Sequence, residues 1–152
     1  MAITLDFLGT FLFIAGFVIG LGAVTVIDFL GFLGRRSPYW TLTTIRTHKV
    51  TKPLIWAGLF MAVIGGSIVY RNIGLNSFGL YHAILGVILI LNGCFLSFVI
   101  SPYLLERERN NLSEEVLPHG VQVKITLSFI VSFVSWWLSV FIFVLFLLSQ
   151  NG

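Results

Sequence analysis

Cysteine, proline and charge are all scarce in this chain of 152 residues. A single cysteine, Cys94, excludes both a disulfide framework and a thiolate metal cluster within one chain. Charged residues make up only 10% of the sequence, where a soluble domain carries roughly a quarter, so an ordinary soluble fold is excluded. Motifs for hydrolysis, phosphate binding or zinc ligation are absent, and no internal repeat or low-complexity tract is present. No Lys or Arg precedes Arg35 and Asp6 lies near the start, which is not the basic leader of a cleaved signal, so the first apolar run is expected to be retained.

What is abundant is hydrophobic surface: 57% of residues are apolar and the mean hydropathy is +1.00. The charges leave uncharged runs at 7–27, 53–70, 72–105 and 125–152. Each comes close to or exceeds the ~20 apolar residues that a helix needs to cross about 30 Å of hydrocarbon. The pattern predicts an all-α integral membrane four-helix bundle of one domain, with spans at about 4–34, 53–70, 78–101 and 123–148 and cytoplasmic loops at 35–52 and 102–122.

Orientation follows from the basic residues. Arg35, Arg36, Arg46, Lys49 and Lys52 fall in the first loop, and Arg107, Arg109 and Lys124 in or beside the third, against only Arg71 on the other side. Cations concentrate on the cytoplasmic side of short loops, so both termini are expected outside, in a plasma (inner) membrane. The net charge of +3 is thereby a topology signal, and the expected partner is the lipid bilayer, not nucleic acid. Ser37-Pro38 suggests a short surface helix carrying Trp40, Leu42 and Ile45 ahead of a second span that starts near Pro53. Pro102 is expected to kink or end the third span, and Asn111 with Glu114 to cap a helix in the polar loop.

Small residues line one side of every span. At 100° per residue, Gly9, Gly16, Gly20, Ala23, Gly31 and Gly34 fall within about 40° of one line. Gly58, Ala62 and Gly65 follow in span two, Gly79, Gly86, Gly93 and Ser97 in span three, and Ser128, Ser132, Ser135 and Ser139 in span four. Membrane helices approach most closely at such residues, which predicts a close-packed bundle, and a stripe meeting its own copy would make a homodimer or part of a larger membrane complex. The Ser face, through Ser132 and Ser135, is also a candidate path for a proton or small solute.

Few polar side chains fall inside the spans. His82 lies on the small face of span three and is the leading site candidate, as a metal or haem ligand, a proton relay or a plain hydrogen-bonding group. Asp6, at the same outer level, is placed to orient it. Asp28 calls for a snorkelling ion pair with Arg35, a bond from Thr25, or a water-filled cavity. Asn92 is expected to bond to another helix, while Trp136 and Trp137, midway along span four, suit either packing or a flat lipophilic ring. His48 and His119 fall in the loops and are expected to be solvated.

Tyr81-His82-Ala83-Ile84-Leu85 and the apolar run to Asn92-Gly93 resemble the third helix of small four-span membrane proteins of the HemJ and CopD-like group. The layout is similar too, with a Gly-rich first helix, a basic first loop and Ile55-Trp56-Ala57-Gly58-Leu59 in the second. The resemblance implies haem as cofactor, His82 as its ligand and protoporphyrinogen oxidation or copper handling as activity; families of four-span proteins with no assigned function are similar as well. Three functional expectations result: a non-enzymatic packing or lipophilic-ligand-binding bundle, a haem-dependent oxidoreductase, and transport along the Ser face.

Overall fold

The computed structural model describes residues 4–34, 37–71, 77–110, 112 and 115–150. Within them the chain is all-helical: α1 is Leu5–Gly34, α2 Pro38–Val69, α3 Ser77–Phe95, α4 Ser101–Arg109 and α5 His119–Ser149. A single π-helical turn, Leu96–Ile100, joins α3 to α4 without a break. The result is four helices of 30, 32, 33 and 31 residues, each long and apolar enough to cross a membrane. At about 1.5 Å per residue they exceed the hydrocarbon thickness, which leaves room for overhang or tilt. The neighbours around the bundle are α1 with α2, α2 with α3, α3 with α5 and α5 with α1.

Two local features differ from the sequence expectation. α2 is continuous from Pro38, where a separate surface helix was expected before Pro53. Pro53 removes one backbone bond, but the inward stripe Thr41, Ile45, His48, Lys52, Ile55, Leu59, Ala62 and Gly66 keeps a 3–4 spacing straight through it, so packing holds the helix together. Nor does Pro102 end its helix. In the preceding π turn the Ser101 N–H donates to the Leu96 carbonyl, one residue further back than in an α-helix, and this widened turn accommodates the proline.

The surface is apolar and the interior is hydroxyl-rich. Phe98 is 76% exposed and Val18 69%, and Phe60 and Leu91 also point outward, whereas the buried polar residues are all Ser or Thr, including Ser128, Ser132, Ser135 and Ser139. An apolar exterior over an interior that mixes aromatic side chains with hydroxyls suits a lipid solvent, which neither rewards apolar burial nor satisfies polar groups. Closest of all is the α1–α2 contact. A Cβ at Gly16 would lie 2.5 Å from the Ala62 nitrogen, and one at Gly58 2.5 Å from the Gly20 nitrogen. The small faces of these two helices are therefore buried against each other inside one chain. Thr41 closes their junction, its hydroxyl donating to the Gly34 carbonyl at 2.7 Å.

In span three one small residue behaves differently. A Cβ at Gly86 would meet nothing within 4 Å, so this glycine borders open space between helices instead of a contact.

Candidate functional site

Two cavities divide the bundle along its length. The basic end is where α1 stops and α2 and α5 begin, and where Lys49 pairs with Glu108 at 2.8 Å. An inner cavity of about 280 Å³ lies toward this end, walled by all four long helices. Another, of about 520 Å³, lies toward the Arg71 end and is lined by apolar side chains with Tyr70, His82 and Ser139. Its rim consists of exposed Val63 and Ser67 on α2 and Ala83 and Val87 on α3, so it opens sideways between these helices. Leu59, Leu89 and Trp136 border both cavities and form the septum between them.

Trp136 is 1% exposed and sits against Gly20, where a Cβ would collide with the indole ring. That contact explains why a small residue is required at position 20. Trp137, one residue on, is half exposed.

His82 is fully engaged. Its Nε2 lies 2.9 Å from the Ser139 carbonyl, which makes Nε2–H the donor; in that neutral tautomer Nδ1 accepts from the Tyr70 hydroxyl at 3.1 Å, and the Phe78 carbonyl, 3.0 Å from Nδ1, is not its partner. The ring stacks on Tyr70 and meets the Phe13 ring edge-on. Helices α2, α3 and α5 are thus tied at one imidazole. An iron or other metal at Nε2 would have to displace this bond to the Ser139 carbonyl. His82→Ala is accordingly expected to destabilise the bundle by about 1–3 kcal/mol, from two interhelical bonds worth roughly 0.6–1.7 each in a membrane. Reversible unfolding in mixed micelles measures this, and an unchanged midpoint would remove the latch role.

Asp6 does not reach His82. Its carboxylate accepts from Arg71 Nη2 at 2.9 Å instead, closing the end of the bundle where α1 begins and α2 ends. Asn92 joins α3 to α5 twice: its Nδ2 donates to the Ser128 carbonyl at 3.0 Å, and Ser128 Oγ donates to Asn92 Oδ1 at 2.6 Å. Ser139 Oγ donates to the Ser135 carbonyl, leaving Ser132 as the member of the serine face that borders the inner cavity. Trp56 Nε1 donates to Ser97 Oγ at 3.1 Å, anchoring α2 to the π turn.

The inner cavity collects polar atoms that have no partner. Asp28 Oδ2, His48 Nε2 and Trp136 Nε1 are buried without a hydrogen bond, and all three residues line this one space. Thr25, considered above as a partner for Asp28, donates to the Leu21 carbonyl at 2.7 Å. The suggested Asp28–Arg35 pair and the Asn111–Glu114 cap lie outside the described residues. His48 was expected in a solvated loop; continuous α2 turns it inward, between the inner cavity and a smaller one of about 210 Å³ beside Lys49 and Lys52. Among the described residues no three His, Cys, Asp or Glu side chains come together as a metal site would require.

Fold and site define a class: a four-helix bundle of membrane-spanning proportions with an acid–imidazole cavity at one end and an apolar lateral cavity at the other. No protein-family model, curated protein or solved structure matches the chain.

Proposed function

We propose that this protein is a non-enzymatic membrane bundle that takes a small lipophilic ligand between its helices. Its setting in this reading is a plasma membrane, with the basic end cytoplasmic and both termini outside. The inner cavity carries the proposal: it is walled by four helices, lined mainly by apolar and aromatic side chains, and holds a few convergent polar atoms, as small-molecule sites do. Its volume of about 280 Å³ falls just below the roughly 300–1,000 Å³ of such sites and suits a ligand of one ring with a short side chain.

A neutral aromatic quencher, 2-(4-bromophenyl)ethanol, tests it. Trp56 and Trp136 line the cavity, so the probe is expected to quench tryptophan fluorescence of the detergent-purified protein saturably. Gly31→Leu should abolish the saturable part, because a Cβ there meets nothing nearer than Thr44 Cγ2 at 4.0 Å and the longer side chain fills the cavity. Quenching that is non-saturable, or equal in Gly31→Leu, would reflect micelle partitioning and sink the reading.

Passage of a solute or proton from one cavity to the other is a second reading. What favours it is the thinness of the septum, since Leu59, Leu89 and Trp136 are the residues bordering both cavities.

A further inference from the structure

The inner cavity has a chemical preference that its volume alone does not convey. Asp28 belongs to no ion pair among the described residues, and its Oδ2 is buried with no donor. A carboxylate in an apolar enclosure needs a counter-charge or a proton. Arg35 and Arg36, the nearest cations along the chain, lie outside the described residues; among those described, Lys49 pairs with Glu108 and Lys52 Nζ donates to the Ser97 carbonyl at 3.4 Å. The same cavity is lined by a second acceptor, His48 Nε2, which in the neutral tautomer protonated at Nδ1 offers a free lone pair. Trp56 and Phe129 also line this space, and an aromatic ring attracts a cation placed over its face.

We infer that the inner cavity binds a small aromatic or aliphatic ammonium ion, its N–H groups donating to Asp28 and His48 and its apolar body lying against the rings of Trp56 and Phe129. This rests on the ligand-binding reading above and specifies the ligand's charge. The cation brings the counter-charge that Asp28 lacks, and each acceptor gains a donor. A neutral ligand of the same shape supplies no counter-charge and leaves Asp28 to hold a proton, and an anion is repelled by the carboxylate. No bond is made or broken; the site holds its ligand by charge and fit.

The test pairs two probes of one shape, 2-(4-bromophenyl)ethylamine, protonated at neutral pH, and 2-(4-bromophenyl)ethanol. Tryptophan quenching is titrated with each, using the full chain in detergent. The ammonium is expected to bind at least about tenfold tighter than the alcohol, and Asp28→Asn to remove that advantage while leaving alcohol binding in place. Asn keeps the shape of Asp and adds no charge, and Asp28 makes no side-chain bond to another described residue, so the variant is expected to fold; circular dichroism checks that. Gly31→Leu should block both probes without touching the carboxylate. Equal binding of amine and alcohol, or an amine affinity unchanged in Asp28→Asn, overturns the ammonium assignment and leaves lipophilic binding intact. Failure of both probes to bind overturns both.

Discussion

Gly58→Leu is expected to prevent α1 and α2 from docking and to cost the fold about 3 kcal/mol or more. A Cβ at this position would sit 2.5 Å from the Gly20 nitrogen and 2.6 Å from its Cα. Backbone atoms of a packed helix cannot turn aside as a side chain can, so the two helices have to separate along their whole contact. Separation also pulls Gly20 from Trp136 and loosens the septum. Unfolding in mixed micelles, followed by circular dichroism, gives the loss. Gly86→Ala provides the contrast, since its added methyl meets nothing within 4 Å. That variant is expected to be neutral or to gain up to about 1 kcal/mol from better helix propensity. Equal losses in the two variants would show that the close approach of α1 and α2 is not what holds the bundle.

Trp136→Ala is expected to cost about 3 kcal/mol, from the cavity left where a fully buried indole packed against its neighbours. It removes the largest part of the septum and merges cavities of about 280 and 520 Å³. Trp136→Phe should cost far less, under about 1.5 kcal/mol, because the indole N–H has no partner to lose. Thermal unfolding of the two variants compares them. The same pair separates the two functional readings. In proteoliposomes, passage between the cavities predicts faster flux of the bromophenyl alcohol through Trp136→Ala than through the parent protein, above that of protein-free vesicles. A binding bundle predicts no protein-dependent flux in either.

Serine and asparagine show how much of the site was legible beforehand. The steps of 4, 3 and 4 between Ser128, Ser132, Ser135 and Ser139 put the four on one face, and all four are buried. Asn92 called for a partner on another helix and has one in Ser128. Both follow from helical geometry and the need to satisfy polar groups away from water. Asp6 was harder: its pairing with Arg71 depends on which helix ends come together at that end of the bundle, which no spacing within a helix reveals. His48 was misplaced because Pro53 looked like a boundary. The stripe from Thr41 to Gly66 carries the helix through that proline, and reading the spacing across it would have turned His48 inward.

By itself, then, the sequence determined the four long apolar helices and the small-residue face on each, since both are periodic properties of single segments. Tertiary structure decided what those faces do. Gly16 and Gly58 became contacts and Gly86 a cavity wall, because the distance between neighbouring helices is set by every residue along their seam and not by one glycine. It also decided that Asp28, His48 and Trp136, on three different helices, line one cavity. Residues so distant along the chain meet only when the helices have chosen their neighbours and rotations, a choice made by the packing of the whole bundle.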